Sequence, residues 1–464
     1  MPAWTPSLTR ELTKLCWSAI GGDCSAADEV IFRSPGGLPS PFAVTDVASA
    51  AIATAALSVA ELLRETHGKH VSIAVDRRMS SLWFASSIRP LGWHLPPWDP
   101  IAGDYPTRDG WIRLHTNAPT HRAVAERVLG ATGEDRATIA RAVARWSKSD
   151  LEQAVVEAGG CAAEMRSLAQ WQEHPQGRAV SSEPLVHLTM LYPVPTRSWA
   201  VSATRPLQGL RVLDLTRVLA GPVASRFLAG YGADVLRIDP PDWDEPPVVP
   251  EVTLGKRCAR LDLHDLEARA TFEGLLSSAD VLLHGYRPGA LDRLGYDAAT
   301  RRRLSPGLID VTLDAYGWSG PWAMRRGFDS LVQMSAGIAD HGMKRAGADK
   351  PTPLPVQALD HATGYLMAAT AVRGVTARLT RGNGSTARLS LARTAKLVVD
   401  HPEQTEAPAP FAPETDYDRS PRVEHTDWGE ARRLAPPVQI ANTPMHWDFP
   451  ARRLGSALPR WLNY

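Results

Sequence analysis

The chain reads as an α/β protein built on a doubly wound parallel sheet, with a smaller α+β domain beside it. Three observations carry this. Between 207 and 391, short apolar runs alternate with helical stretches of ~10–15 residues, the pattern of parallel βαβ units. Gly232 follows the first of these helices where a left-handed cap is expected. A length of 464 residues, with 44% hydrophobic and 22% charged side chains, supports two or three domains around a sizeable core.

Arg211–Leu215 is the first strand, and Ala220-Gly221-Pro222 turns the chain into an amphipathic helix from Val223 to about Tyr231. Asp234–Ile238 is the next strand. A helix around Leu266–Ser277 leads to Val281–Leu283, and another around Ala298–Leu304 leads to Leu308–Thr312. The first 200 residues have a different texture. Asp46–Arg64 is an alanine-rich helix, Gly68 stops it, and Val71–Val75 alternates as a strand. Asp104-Tyr105 and Asp109–Leu114 predict a turn and a strand, with helices following to about Arg166.

Residues 175–207, with their prolines, are expected to be a linker. Residues 400–435, rich in Pro, Glu, Asp and Thr, are expected to be loose on the surface. The resulting division is 1–85, a partial repeat of a helix–strand unit; 86–200, a small α+β domain and linker; 201–400, the sheet domain; and 401–464, an extended tail. The repeat is read from Thr45-Asp46, its helix and the strand ending Val75-Asp76-Arg77. These echo Leu359-Asp360, its helix and the strand ending Leu391-Ala392-Arg393, about 315 positions on, once a two-residue gap is placed in the turn.

With 51 basic against 50 acidic residues there is no bulk charge to hold nucleic acid or an anionic membrane. Cys16, Cys24, Cys161 and Cys258 show neither metal nor disulfide spacing, which fits a reducing compartment. The N-terminus lacks the pattern of a signal peptide, and Val47–Ala60 falls short of the ~20 apolar residues of a membrane helix. The expected location is cytoplasmic, with no membrane partner.

Ligands of open α/β sheets bind beyond the carboxyl ends of the strands. No G-x-G-x-x-G follows the first strand, no P-loop lysine motif is present, and no His/Cys/carboxylate set has metal spacing; no permanently bound cofactor is expected. The loops suit a long phosphorylated ligand. Val218, Leu219 and Ala220 bring backbone amides ahead of a helix with Pro222 in its first turn. Lys256, Arg257 and Arg287 are candidate phosphate partners, and Tyr286 a candidate stacking face. Asp360 precedes a small-residue helix; it is either an N-cap stabilising that helix by about 1 kcal/mol or a carboxylate nucleophile.

Several motifs in register decide between these. Pro206–Asp214, Leu219-Ala220-Gly221-Pro222, Gly232-Ala233-Asp234-Val235, Gly285-Tyr286-Arg287-Pro288-Gly289 and Gly317-Trp318-Ser319-Gly320-Pro321 resemble the family III CoA-transferases, the family that includes formyl-CoA transferase, the carnitine CoA-transferases and α-methylacyl-CoA racemase. The likeness runs from 206 to about 395. Tyr105–Ile112, Leu129-Gly130, Trp171 and His174-Pro175-Gln176 resemble the family's small domain, which here precedes the sheet domain instead of following it. Arg433–Pro437 to Leu454-Gly455-Ser456 resembles the family's C-terminal end.

The resemblance implies a Rossmann-like sheet, coenzyme A and acyl-CoA as substrates, a carboxylic acid as acceptor, and a homodimer; the permuted order leaves open a single chain supplying both halves. It also implies Asp360 as nucleophile, kept ionised by its helix N-terminus. Asp46, with no βαβ series before it, is expected to be an N-cap. The racemase branch has a histidine where Arg326-Gly327-Phe328-Asp329 places Phe328, and phenylalanine moves no proton. His361 is a possible substitute, though a helix-end histidine is the plainer reading. Gly285–Gly289 is closer to the racemase form, and Leu219 departs from a glutamine found in some transferases. The transferase is therefore preferred to a racemase or epimerase, and to a CoA-binding subunit without activity.

Overall fold

The computed structural model describes residues 6–133, 135–194, 199–402 and 409–462. After a first helix, Ser7–Ala19, come β1 (Ile31–Arg33), α1 (Val44–His67), β2 (Ile73–Asp76) and α2 (Arg77–Trp83). β3 (Ile88–Pro90) leads into a small antiparallel sheet of β4 (Gly103–Pro106), β5 (Trp111–Leu114) and β6 (Ala162–Glu164). With α3 (Pro119–Leu129) and two further helices, this sheet surrounds its own core of Ile112, Leu114, Ile139 and Leu151.

Seven strands form the main sheet: β7 (His187–Pro193), β8 (Arg211–Leu215), β9 (Asp234–Asp239), β10 (Lys256–Arg260), β11 (Val281–His284), β12 (Ile309–Asp314) and β13 (Asn383–Ser390). Their order is β10-β9-β8-β11-β12-β13-β7, parallel throughout except for β7. Side chains alternate between two cores, as the period of two in a strand requires. Val212, Val235 and Val281 enter one core together with Val223 and Phe227 of α4 (Ala220–Gly230). Leu213, Leu236 and Leu282 enter the other with Phe272 and Leu275 of α5 (Leu266–Ser277). α6 (Asp329–Ser335) and α7 (Ala358–Arg381) lie between β12 and β13, and α8 (Leu391–Asp400) follows β13.

Two expectations for the loops are corrected. Residues 175–207 are not a linker: Pro175–Ser182 is a helix, and β7 pairs antiparallel with β13 as the seventh strand; residues 195–198 lie outside the described set. The tail is not loose. β14 (Arg419–Thr426) and β15 (Gly429–Leu434) form a hairpin that pairs with β3, and β16 (Val438–Ile440) pairs with β2. Its acidic residues are drawn in by cations, Asp418 by Arg78 at 2.6 Å and Glu414 by Arg89. Residues 403–408 of that stretch lie outside the described set.

The repeat is closer in structure than in sequence. α1 and α7 both run for 24 residues, and a constant offset of 314 links Ala43 with Gln357, Gly68 with Gly382 and Asp76 with Ser390. No gap is needed in the turn. Gly68 (φ 64°) and Gly382 (φ 74°) both sit in the left-handed region and donate to Arg64 O and Arg378 O, each at 2.9 Å. Around them, β1-β2-β16 reproduces the parallel and antiparallel neighbours of β12-β13-β7. α1 and α7 pack against one another along their lengths. α1 is long and apolar enough to cross a membrane, longer than its sequence run suggested, yet 89% of its apolar window is buried inside the fold.

α7 also meets the start of α4, and Gly364 permits the approach. A Cβ there would stand 2.3 Å from Ala220 O and 2.8 Å from Val223 Cβ. The first clash is with backbone, which cannot swing aside. Gly364→Ala is expected to destabilise the fold by about 1–3 kcal/mol, measured by denaturant unfolding.

Candidate active site

The carboxyl ends of β8, β9, β11, β12 and β13 open onto one cavity of about 430 Å³. Its wall includes Arg217, Val218, Leu219 and Ala220 after β8, Trp243 after β9, and Tyr286, Arg287 and Arg293 after β11. Asp314 and Leu391 join from β12 and α8, Arg325–Phe328 from the segment before α6, and Thr120 and His121 from the small domain. Asp360 lies in the same wall. Six predicted site residues are thus brought together: Asp360, Val218, Leu219, Ala220, Tyr286 and Arg287.

Asp360 is the third residue of α7 and is 7% exposed. It is not the N-cap: Gln357 occupies that place and caps with no side-chain bond. The amides of Leu359 and Asp360 donate instead to Asp329 Oδ2, at 2.9 and 3.0 Å. Gln333 Nε2 donates to Asp329 Oδ1, and Leu354 N donates to Gln333 Oε1 at 2.7 Å. Asp329 therefore takes over the capping, and among the described residues no donor reaches the Asp360 carboxyl. The electrostatics also differ from expectation. Burial first, and then the Asp329 charge, push the Asp360 carboxyl well above the usual carboxylate range, outweighing the helix N-terminus.

Val218 holds φ at 62°, unusual for a β-branched residue, and its N–H donates to Glu245 Oε2 at 2.8 Å. Its amide is engaged, not free as the sequence suggested. Leu219 precedes α4 with no side-chain cap; Pro222 has no N–H and Val223 N donates to Leu219 O, so the amides of Ala220 and Gly221 are the ones left for a ligand. Tyr286 stacks, but on Arg217: that guanidinium sits 4.8 Å from its ring centre and 4.4 Å from that of Trp243. Arg287, Arg293 and Arg326 converge at the cavity, and none forms an ion pair among the described residues. Desolvation and its two like-charged neighbours lower the Arg287 pKa. This is an excess of positive charge awaiting an anion.

Lys256 and Arg257 stand apart from the cavity. They belong to β10, where Lys256 is fully buried, with Nζ 3.1 Å from Asp214 Oδ2 and 3.0 Å from Pro222 O. Arg257 Nη2 pairs with Asp234 Oδ1 at 2.7 Å. Their charges are spent inside the fold, which leaves Arg287, Arg293 and Arg326 as the cations at the cavity without an ion pair among the described residues; sequence reasoning named only Arg287 of the three. Arg326 flanks the Gly327-Phe328-Asp329 motif, the one local signal that pointed to it. Arg217, Trp243, Asp314 and His121 were also missed; His121 arrives from a helix some 240 positions before Asp360.

Phe328 lines the cavity and stacks on His115, ring centres 3.6 Å apart. His361 turns away and stacks on Phe84 at 4.9 Å; its burial drives the imidazole pKa down to about 3. Asp46, the counterpart of Asp360, is the third residue of α1 but not its cap. It pairs with Arg77 Nη2 at 2.9 Å and accepts from Thr9 Oγ1. At the offset of 314, Arg77 corresponds to the cavity-lining Leu391. The repeated aspartate is neutralised where Asp360 is left open.

Residues 207–428 match the family model of CoA-transferase family III. An acyl-CoA transferase of Gibberella moniliformis is 30% identical over 314 residues, 62% of this chain and 54% of that protein. A probable fatty acyl-CoA transferase of Mycobacterium tuberculosis is 34% identical over 178 residues, 35% and 45% of the two chains. An acetyl-CoA:oxalate CoA-transferase of Acetobacter aceti is 35% identical over 145 residues, 29% and 37%. Among solved structures, one of a Mycobacterium tuberculosis protein aligns at 31% identity with a TM-score of 0.39, covering 42% of this chain and 56% of that one. The chain spans about half the length of the first of these curated relatives, and less of the others. Over residues 207–428, somewhat under half of its length, this chain is similar to CoA-transferase family III.

Proposed function

We propose that this protein transfers coenzyme A from an acyl-CoA to a carboxylic acid, with Asp360 as the nucleophile. One observation carries the reading: a buried carboxyl, without a hydrogen-bond partner among the described residues, lines a cavity whose wall also holds arginines free of ion pairs and the uncapped start of α4. The arginines and the first turn of α4 would hold the phosphates of CoA, and Arg217, Trp243 and Tyr286 would shape the path between them and Asp360. The strand order supports a doubly wound, Rossmann-like sheet, with the cavity at the switch point between β8 and β11.

The Asp360 carboxylate attacks the thioester carbonyl; a C–O bond forms, the C–S bond breaks, and CoA leaves as thiolate. The thiolate then attacks the Asp360 carbonyl of the mixed anhydride, and the donor acid departs with the electron pair. An aspartyl-CoA thioester remains. The acceptor carboxylate attacks it in turn, and the released thiolate takes the acceptor acyl group, regenerating Asp360. Phe328, in the wall beside this chemistry, has no proton to exchange, which favours transfer over racemisation.

Intact-mass measurement after incubation with a panel of acyl-CoAs tests the proposal. A CoA-sized increment mapped to Asp360 supports it. CoA binding with no adduct from any donor counts against it, and α-proton exchange in deuterated water would then identify a racemase.

The setting we propose is the cytoplasm, in keeping with four free thiols. The assembly is a homodimer built through surfaces other than α7, since α1 already covers that helix. Light scattering is expected to give twice 50.4 kDa. The mass of one chain would show that α1 and its unit supply the second half internally.

A further inference from the structure

Asp329 is 3% exposed and bonds the backbone of the very residue whose side chain is the proposed nucleophile. It is doubly held, by two amides of α7 and by Gln333, so it cannot withdraw from Asp360 without uncapping the helix. Arg113 on β5 is the cation acting on Asp329, and it is already paired with Asp104 at 2.8 Å. The cavity wall that holds Asp360 also carries Asp314, His121, Tyr286 and the guanidiniums of Arg217, Arg287, Arg293, Arg325 and Arg326. Burial pushes the Asp314 carboxyl well above the usual carboxylate range and the His121 imidazole down to about 4. Two carboxyl groups thus share one buried site, and among the described residues no cation is bonded to either.

We propose that Asp329 is a positioning residue that biases Asp360 toward its covalent form: the two carboxyls compete for one negative charge until Asp360 is acylated or carries CoA, which ends the competition. This rests on the transfer mechanism proposed above. In that sequence Asp360 starts as a carboxylate and ends as a neutral thioester, its charge leaving with the donor acid. The chemistry neither consumes nor makes a proton. A proton shared by the pair beforehand must therefore be released on loading, because the lone Asp329 carboxylate no longer needs it.

Proton release is measured in weakly buffered solution as wild-type protein is loaded with acetyl-CoA, alongside the CoA adduct by mass. Release of up to one proton per adduct, growing as the pH is lowered, is expected. Asp329→Asn keeps an oxygen for the two amides but removes the charge. It should release little or no proton, move the acid limb of adduct formation down by about one pH unit, and lower the ratio of loaded to free enzyme by about tenfold. A purely capping role would change thermal stability and leave these three readouts alone. Adduct without proton release in the wild type between about pH 5 and 8 overturns the assignment of Asp329 even if the variant fails to fold. If wild-type protein forms no adduct on Asp360 with any acyl-CoA, the transfer mechanism falls and this inference with it.

Discussion

Alanine at position 360 is expected to abolish the proposed CoA transfer and the covalent adduct together, with a loss of turnover on the order of 10⁴-fold or more, as for other nucleophiles removed from covalent mechanisms. The fold should tolerate the change. Asp360 makes no side-chain hydrogen bond among the described residues, and the caps of α7 come from Asp329. Removing a partly desolvated carboxyl that sits beside another also relieves repulsion, so the melting temperature should hold or rise. CoA affinity should stay near wild type, because the arginines and the α4 amides are untouched. Asp46→Ala is the matched control from the repeated unit: it leaves adduct formation intact but removes the carboxylate that pairs with buried Arg77, and should lower stability. Residual turnover in Asp360→Ala above about one part in a hundred would mean that another group carries the acyl chain.

Glu251→Ala is expected to cost about 3–5 kcal/mol of stability, the range for breaking a buried ion pair from one side. Glu251 joins three parts of the chain that lie far apart in sequence. It accepts from Ser87 N and Ile88 N, both at 3.0 Å, just ahead of the small domain; it pairs with Arg226 of α4; and Arg433 of β15 approaches to 3.4 Å. Arg226 is almost fully buried, so loss of its carboxylate leaves a charge in the core. The same group sets an acid sensitivity. Despite the desolvation that opposes ionisation, Arg226 and Arg433 lower the Glu251 pKa to about 2. A folded pKa below the unfolded value of ~4.3 adds stability that is full above that value and is lost as pH falls toward about 2. Glu251→Gln should therefore flatten stability against pH in that window, read from urea unfolding at several pH values. An unchanged midpoint in Glu251→Ala would remove the network from any stabilising role.

Much of the sheet was legible because its strands are buried on both faces. Arg211–Leu215 and Val281–Leu283 are near-continuous apolar runs, and the helix at Leu266–Ser277 begins where predicted. β10 was not legible. Lys256-Arg257-Cys258-Ala259-Arg260 carries three cations; it lies in the sheet because Asp234 of adjoining β9 pairs with Arg257, Asp214 of β8 pairs with Lys256, and the carbonyls of Pro240, Pro241 and Trp243 accept from Arg260. Two residues read as phosphate partners were in fact spent on strand pairing. β7 was hidden by Pro184, Pro193 and Pro195 in and around it and by its edge position, where none of its seven residues is fully buried and no alternation marks a strand. In the site, the position of Asp360 could be read from motifs in register. Its capping by Asp329 could not, since the two are joined by tertiary hydrogen bonds across 31 positions with no local pattern.

The pairing of α1 with α7 also has a consequence for how the chain comes off the ribosome. α1 is synthesised early and is apolar on nearly all sides, but the helix that covers it lies 314 residues downstream. At ~5–20 residues per second this is a delay of roughly 15–60 s. During that interval a segment apolar enough to interest a membrane insertion machinery or a chaperone lacks its main native partner and is covered only in part, by the helix Ser7–Ala19, β2 and α2. The strands from β8 to β12 can form their βαβ units meanwhile, because each closes on a near neighbour. The unit built on α1 and β2 therefore completes its packing only after α7 and β16, both far downstream, have been made.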